Sequence, residues 1–424
     1  MKKHWIKALT LAATAGVFMT FTGCGPSSSS DGASSSSSKK SSTLLVWEDK
    51  DKGSGIKAAA AAFGKENNVK VKIVEKEYAG QLEKLRLDGP AGTGPDVITI
   101  PGDQIGTAVT EGLLKPLTVS KATQKLYTDS AMESQIVKGK VYGLPKAVET
   151  TILYYNKKLV SEADLPKTTE EWYTFSKEQR AKGKYGLLAL WDQIYYAQGV
   201  FSGYGGYIFG KDSKGNFDAK DIGLNNSGSV DAANYVSKFY KEGLFPKGII
   251  GDKGINVLDS LFTEGKAAAV ISGPWNFEPY KKAGIDYGVV ELPELENGKH
   301  MGSFIGVKSY NVSSYSKNAD LAEKFVKYLT NAKNSKVRYQ KTSEVPAVKS
   351  LAESDLVKKD VNASAVALQS QHAELTPNIT EMDQVWTPAN NALQVVDTGK
   401  STAKKALDSA VSQINSAIKA ADNK

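Results

Sequence analysis

The folded part of the chain opens with an apolar strand, a helix and an alternating strand in succession. Thr43 to Trp47 reads as the first strand, Ile56 to Phe63 as an alanine-rich helix, and Val69 to Glu75 as the second strand. This strand–helix–strand unit predicts an open α/β sheet, and such sheets bind ligands at the carboxyl ends of their strands. The polar turn from Glu48 to Gly55 follows the first strand at that edge, so it is a candidate ligand loop.

Strands and helices continue to alternate along the chain, whose 424 residues predict two or three domains. Lys146 to Thr150 lies between two apolar strands and contains the acid Glu149, so we interpret it as a crossing between domains. Leu113 to Leu117 is expected to return to the sheet, and a helix capped by Thr168 is expected to follow the crossing. The chain ends in an amphipathic helix with apolar residues at Ala403, Leu407, Val411, Ile414 and Ile418.

The stretch from Ala267 to Phe277, AAAVISGPWNF, places a tryptophan directly after a predicted buried strand. Gly273 and Pro274 end the strand, because proline has no N–H to donate to the ladder. Trp275 is thereby presented at the carboxyl edge of the sheet, where it is either a platform for a ligand or a cover over the end of a core. Trp47 and Trp172 are assigned to packing.

Residues 1–23 have the layout of a secretory signal, with three lysines followed by a short apolar region and small residues. The signal ends Phe21-Thr22-Gly23-Cys24, which resembles the bacterial lipobox, whose cysteine becomes the lipidated first residue of the mature protein. Cys24 is the single cysteine of the chain, so no internal disulfide forms. The alternative is a secreted protein with a free thiol. Residues 24–43 include a serine-rich stretch that we interpret as a flexible tether.

Several function classes are disfavoured by the composition and by the motifs. The formal net charge is +8, but the lysines are scattered among acids and no basic run is interleaved with aromatics, so nucleic acid is not an expected partner. His300 and His372 each stand alone in the sequence without a cysteine or acid at metal-ligand spacing, which predicts no metal site. Nucleotide-binding and serine-hydrolase motifs are absent in the required context, and no cofactor is expected.

Sugar recognition fits what the chain does contain. A pyranose ring presents an apolar C–H face to an aromatic ring, while its hydroxyls need fixed donors and acceptors. The second α/β region supplies a dense run of aromatics between residues 191 and 209, and acids and lysines occur in the predicted loops. The same ingredients also describe a glycoside hydrolase, which needs two carboxyls about 5–5.5 or 6.5–9.5 Å apart. Asp51, Asp103 and Glu149 are the available acids for that alternative.

Ordered stretches along almost the whole chain from Leu44 resemble the extracellular maltose/maltodextrin-binding proteins of ABC sugar importers, in the lipoprotein form of Gram-positive bacteria. These stretches are LLVWEDKDKG (44–53), GPDVITIPGDQIG (94–106), EGLLKPL (111–117), PKAVETTILYYNKKL (145–159), GGY (205–207), FTEGKAAAVISGPWNF (262–277), FIGVKSYNV (304–312) and TPNITEMDQVW (376–386).

The resemblance implies an α/β, type II periplasmic-binding-protein-like fold, with two lobes, several hinge crossings and a ligand cleft between the lobes. The first lobe would comprise 44–147 and 308–355, and the second 152–304 and 362–424. It further implies a non-catalytic monomer, held at the extracellular face of the cell membrane by a lipid anchor on Cys24. Such a protein would bind malto-oligosaccharides, close, and deliver them to the transmembrane subunits of an ABC permease. Another oligosaccharide and a sensing role remain alternatives.

The residues that would contact the sugar follow from the resemblance position by position. The first lobe departs from the family at Ile100, where a tryptophan is usual, and at Gln104, where an arginine is usual. Stacking is therefore expected mainly from the second lobe. The implied ligand-binding residues are Asp49, Asp51, Lys52, Glu83, Asp103, Glu149, Gln193, Tyr195, Tyr196, Trp275 and Trp386.

Overall fold

Two β-sheets, each with its own layer of helices, organise the chain. The computed structural model describes residues 43–213 and 215–422, so the proposed signal, the proposed lipidation site Cys24 and nearly all of the tether lie outside the described residues. The strands are β1 (Thr43–Asp49), β2 (Lys70–Lys76), β3 (Val97–Pro101), β4 (Ile136–Val137), β5 (Lys140–Val141), β6 (Gly143–Glu149), β7 (Ile152–Asn156), β8 (Tyr185–Leu188), β9 (Phe209–Lys211), β10 (Phe217–Ile222), β11 (Ala267–Ser272), β12 (Tyr287–Val290), β13 (Ser303–Val312) and β14 (Ala373–Leu375).

Helices pack against these sheets, and the helix that begins at Thr169 has a complete N-terminal cap. Thr168 accepts a hydrogen bond from the Glu171 backbone while the Glu171 side chain accepts from the Thr168 backbone, a capping box that confirms the predicted helix start. The helices are α1 (Lys57–Asn67), α2 (Gln81–Asp88), α3 (Ile105–Thr110), α4 (Lys121–Gln124), α5 (Asp129–Glu133), α6 (Thr169–Ala181), α7 (Ile194–Gly203), α8 (Ser227–Lys241), α9 (Gly254–Thr263), α10 (Phe277–Lys282), α11 (Ala319–Leu329), α12 (Ala332–Thr342), α13 (Lys349–Ala352), α14 (Asp355–Lys358), α15 (Val361–Gln369), α16 (Trp386–Asp397) and α17 (Ala403–Asp422).

The first sheet has the strand order β14-β13-β3-β1-β2, and β6 also pairs with β13. β1 runs parallel to β2 and β3, as the opening of the sequence predicts. β13 returns antiparallel to β3 and β6. The carboxyl ends of β1 and β3 therefore lie at one edge, where Asp49 and Asp103 leave the sheet.

The second sheet has the order β12-β7-β11-β8. β11 is its third strand, parallel to β8 and antiparallel to β7. All six residues of β11 are buried, because neighbouring strands flank it on both sides and helices cover its faces. This explains why the segment reads as a continuous apolar run rather than an alternation.

The chain passes from the first sheet to the second between β6 and β7, at the segment that we interpreted as a crossing. β6 continues through Glu149 and pairs there with Gly306 of β13, so most of that segment belongs to the first sheet. The ladder of hydrogen bonds with β13 keeps this stretch extended. Leu113 to Leu117 forms only isolated bridges, from Leu114 to Ser313 and from Leu117 to Val141.

Each sheet has its own hydrophobic core, which makes the molecule two-lobed. Trp47 packs with the first sheet and Trp172 with the second, and both are nearly inaccessible, as predicted. The lobe boundaries given above stay a prediction, since residues 41–424 pack as one unit. Within 43–213 and 215–422, none of the helices has the length and apolar character that a bilayer crossing requires.

Candidate functional site

A cavity of about 610 Å³ lies between the carboxyl edge of the first sheet and the turn that follows β11. One side is lined by charged side chains from β1, β6 and β13, and the opposite side by Trp275 and its neighbours. The first side includes Asp49, Asp51, Lys52, Tyr78, Glu149 and Lys308. The other side includes Pro274, Trp275, Phe277 and Lys282. We take this cavity as the candidate ligand site because charged hydrogen-bonding groups and an aromatic surface line it together.

Asp49 is the most deeply placed acid of this cavity. Its Oδ1 accepts a hydrogen bond of 3.2 Å from Gln81 Nε2, whereas its buried Oδ2 has no hydrogen-bond partner. The Nζ atoms of Lys146 and Lys308 each lie 3.6 Å from that oxygen. Burial raises the pKa of Asp49 to about 6, although the two lysines act in the opposite direction. The two lysines, rather than a hydrogen bond, therefore compensate the charge of this oxygen, which is buried in this structure.

Lys308 connects Asp49 to the second acid of the cavity. Its Nζ lies 3.2 Å from Glu149 Oε2 and 4.4 Å from the centre of the Tyr78 ring. Burial alone would lower the pKa of Lys308, but the surrounding acids, Glu149 and Asp49 foremost, raise it above the ordinary lysine value. The lysine therefore stays charged, and its side chain is only 12% exposed. Lys308 Nζ can donate a hydrogen bond to a ligand hydroxyl, and that hydroxyl can in turn donate to Asp49 or Glu149.

A cluster of buried charged residues lies beneath the carboxyl edge of the first sheet. Lys146 is inaccessible and contacts Glu48, while its Nζ lies 3.2 Å from Glu344 Oε1. Tyr310 Oη donates a hydrogen bond of 2.5 Å to Glu48 Oε2. Burial would raise the pKa of Glu344, but Lys146 and then Lys308 attract its charge more strongly and lower the pKa to about 2.

The loop after β1 is held in place mainly through its backbone. Asp51 adopts a left-handed conformation with φ of 63°, and its N–H donates to Glu75 Oε2 at 3.2 Å. The Nζ of Lys52 donates to the Thr342 carbonyl at 3.0 Å. Asp51 is exposed and lines the cavity, and its contact with a ligand stays a prediction.

Trp275 stands on a rigid turn opposite these charges. Tyr154 Oη donates a hydrogen bond of 2.6 Å to the Gly273 carbonyl. Asn276 Nδ2 donates to Ser272 Oγ and Asp259 Oδ1, both at 2.9 Å. The indole is half-buried and lines the cavity. The indole thus reaches the cavity instead of lying wholly in the core, and its role as a ligand platform stays a prediction.

A second aromatic group lies outside the lining of this cavity. The ring centroids of Tyr195 and Trp386 are 6.5 Å apart, and each lies within 6.4 Å of Phe304. Burial raises the pKa of Tyr195, and the negative charges of Glu149 and Asp103 add to that effect. Tyr195 and these two acids therefore share one environment. Burial likewise raises the pKa of Asp103 to about 6, with Asp383 and Glu149 contributing.

The remaining predicted contacts fall elsewhere. Gln193 and Tyr196 line a separate cavity of about 510 Å³ together with Asn390 and Gln394. Glu83 is not brought to either cavity: its side chain is 72% exposed and pairs with Arg86 at 3.0 Å.

Sequence reasoning also missed Lys146, Lys308 and Glu344. For the two lysines, the available signal was a lysine among the apolar residues of two predicted strands, PKAVE and FIGVKSYNV. The family usually has a tryptophan at position 100. Ile100 is instead fully buried in the core, so it offers no stacking surface to a ligand.

A larger cavity of about 980 Å³ lies near α3 and the segment 378–384. Its lining includes Met132, Ile136 and Ile379, and, among the described residues, it contains none of the predicted contacts. Size alone therefore does not identify the site.

The two histidines stand apart in the sequence but lie together in the structure. The rings of His300 and His372 stack with centroids 3.7 Å apart, and Glu291 Oε2 lies 3.4 Å from His300 Nε2. The pairing of β13 with β14 brings together histidines separated by about 70 residues. Spacing in the sequence could not reveal this cluster.

Comparisons with known proteins identify the family of the chain and agree with its fold. The family described as "Bacterial extracellular solute-binding protein" matches residues 58–365. A galactooligosaccharide-binding protein of Bacillus subtilis is 61% identical over 406 residues, which cover 96% of each chain. A maltooligosaccharide ABC transporter solute-binding lipoprotein of Streptococcus pneumoniae is 37% identical over 388 residues, covering 89% of each.

Among solved structures, MalX from Streptococcus pneumoniae in complex with maltopentaose superposes with a TM-score of 0.82 at 36% identity. The match covers 88% of this chain and 100% of that one. The two-lobe α/β fold expected from the sequence resemblance is thereby confirmed.

Proposed function

The chain belongs to the family of bacterial extracellular solute-binding proteins, and from this premise we propose that it binds galacto-oligosaccharides for an ABC importer. The observation that carries the proposal is the composition of the 610 Å³ cavity. Trp275 offers a flat apolar face on one side, and Asp49, Glu149 and Lys308 offer acceptors and a donor on the other. A sugar ring needs both kinds of surface at once.

We propose galacto-oligosaccharides rather than glucose-based ligands for two reasons. The galactooligosaccharide-binding relative is more similar in sequence than the maltooligosaccharide-binding relative, at 61% against 37% identity. The axial 4-hydroxyl of galactose also leaves one face of the ring with a continuous C–H surface. A site with an aromatic platform on one side and charged groups on the other suits such a ring.

Malto-oligosaccharides are the second candidate. The observation in their favour is the aromatic group of Tyr195, Trp386 and Phe304, which could extend the stacking surface to further glucose rings. The maltopentaose complex of the related structure supports the same reading. In both cases the ligand stabilises the closed arrangement of the lobes only through a higher affinity for the closed than for the open state.

A titration calorimetry panel tests the proposal directly. Galactobiose, galactotriose, maltotriose and maltopentaose are titrated into the purified protein, with cellobiose as a glucose disaccharide of different linkage. We expect the galacto-oligosaccharides to bind at least tenfold more tightly than the maltosaccharides. The reverse order would favour the second candidate, and no binding of any member would refute an oligosaccharide ligand.

Delivery and anchoring are part of the same proposal. We infer from the name of the lipoprotein relative that Cys24 carries a lipid and that the protein acts at the extracellular face of the membrane with permease subunits as partners. Mass spectrometry of the membrane-extracted protein should show a diacylglycerol on Cys24. A Cys24→Ser variant should appear in the culture medium instead.

The relatives are solute-binding proteins, and we propose that this chain is likewise not an enzyme. Product analysis after incubation with galacto- and malto-oligosaccharides tests this point. The sugars should be recovered intact. Turnover that disappears in Glu149→Gln would establish hydrolysis and overturn the proposal.

A further inference from the structure

We propose that Glu291, His300 and His372 bind one divalent transition-metal ion of the Zn²⁺ type. This cluster lies outside the lining of the sugar cavity and is independent of the proposed ligand. One potential ligand atom from each of the three side chains lies within 4.8 Å of the others. Two imidazoles and a carboxylate are a donor set that Zn²⁺ accepts, with a fourth position left for water.

The hydrogen bonding of His300 prepares it as a ligand. Its Nδ1 lies 2.9 Å from the Met301 carbonyl oxygen, which can only accept, so Nδ1 carries the proton. In the neutral ring Nε2 then holds a lone pair. This is the arrangement in which metal-bound histidines are commonly oriented by a backbone carbonyl.

The surroundings of His300 Nε2 favour the binding of a positive charge at this atom. This atom is buried and has no hydrogen-bond partner, and Glu291 Oε2 lies 3.4 Å away. A lone pair facing a carboxylate is unfavourable unless a proton or a metal ion lies between them. Ligands at about 2.0–2.1 Å in a tetrahedron are about 3.4 Å apart, so the observed separation leaves room for Zn²⁺.

His372 completes the set from a third segment. Its ring stacks on His300 with an interplanar angle of 10°, and the side chain is exposed, so it can turn its free nitrogen toward the ion. Glu291 follows β12 of the second sheet, whereas His300 and His372 precede β13 and β14 of the first. A bound ion would therefore join segments at the point where the chain passes between the lobes.

The test is an isothermal titration calorimetry experiment in which ZnCl₂ is added to tag-free, chelator-treated protein. We expect one ion per chain, at least tenfold weaker binding for His300→Ala and His372→Ala, and weaker binding for Glu291→Gln. Glu264→Gln, an exposed acid that pairs with Lys266, is the matched control and should bind like the parent chain. Zn²⁺ should also raise the Tm of the parent but not of His372→Ala.

Co²⁺ provides a second readout that does not depend on affinity. A site with these donors should give the intense visible absorption of tetrahedral cobalt, and that absorption should be lost in His372→Ala. Because His372 is exposed, circular dichroism of this variant should match the parent and exclude misfolding. No saturable binding to the parent, or equal binding by all variants, would overturn the proposal and leave a proton between His300 and Glu291.

Discussion

Trp275 folds back over Gly273, so that a side chain at position 273 would meet the indole. A Cβ atom built on Gly273 would lie 2.2 Å from Trp275 Cζ3, far closer than carbon atoms can approach. The backbone of Gly273 is extended, with φ of −129°, so alanine is compatible with its conformation. Glycine is required here by the position of the indole and not by the backbone.

The first prediction is that Gly273→Ala weakens oligosaccharide binding almost as much as Trp275→Ala. Displacing or deleting an aromatic platform costs about 2 kcal/mol or more, which is roughly a thirtyfold increase in Kd. Gly248→Ala is the matched control, because the nearest atom to its Cβ lies 3.9 Å away. Calorimetry should show unchanged binding for the control. Unchanged binding for both Gly273→Ala and Trp275→Ala would contradict the platform role.

Local patterns account for the parts of this site that the sequence predicted. The run AAAVIS and the Gly-Pro turn place Trp275 at a strand end without reference to the rest of the chain. Glu83 was predicted as a ligand contact by resemblance alone, and its neighbours in the sequence give the reason for its exposure. Leu82 and Leu85 are the buried face of α2, which turns Glu83 toward solvent.

Long-range pairing accounts for the parts that the sequence did not predict. Lys308 reaches Glu149 because β13 pairs with β6 across more than 150 residues, with Gly306 opposite Glu149. The register of such a pairing depends on the whole sheet and cannot be read from either strand. The same limit applies to His300 and His372, which the pairing of β13 with β14 brings together.

The second prediction concerns the lysine that joins the two acids. Lys308→Gln should weaken oligosaccharide binding by about tenfold or more, because Asp49 and Glu149 lose a charged partner and a donor to the ligand is removed. Lys282→Gln is the control, since Lys282 lines the same cavity but is exposed. Calorimetry at pH 7.5 measures both. Equal losses in the two variants would indicate a general charge effect.

The third prediction is that oligosaccharide affinity falls as the pH drops through about 6. Burial raises the pKa values of Asp49 and Asp103 to about 6 from 3.8, so both carboxylates take up protons below that pH and lose acceptor capacity. The decline should approach tenfold per pH unit for each carboxylate that must ionise. Calorimetry from pH 4.5 to 8 checks this, and Asp49→Asn should flatten the profile.

The fourth prediction concerns the stability of the buried ion cluster. Lys146→Met should lower the free energy of unfolding by about 3–5 kcal/mol, because Glu48, Asp49 and Glu344 would remain buried without their shared cation. Lys50→Met removes an exposed lysine that pairs with Glu77 and should leave the free energy of unfolding nearly unchanged. Urea unfolding followed by tryptophan fluorescence compares the two. Similar losses would show that Lys146 contributes no more than a surface charge.

The fifth prediction is that Asp397→Asn stabilises the protein increasingly as the pH rises. Both carboxyl oxygens of Asp397 are buried without hydrogen-bond partners, and burial, with nearby Asp192, raises its pKa to about 8 from 3.8. The folded state therefore holds a proton that the unfolded chain releases above pH 4. Stability linked to this group is fully present below 3.8 and is lost as the pH rises through 8.

An uncharged amide at position 397 removes that loss. The Tm difference between Asp397→Asn and the parent chain should be small at pH 4 and grow until about pH 8, where it corresponds to a few kcal/mol. Asp408→Asn is the control, because it changes a partly exposed acid that pairs with Lys404 on the next helix and accepts a hydrogen bond from Asn225. Thermal unfolding by circular dichroism at several pH values measures the difference. A constant offset from pH 4 to 8 would mean that Asp397 is already ionised in the folded protein.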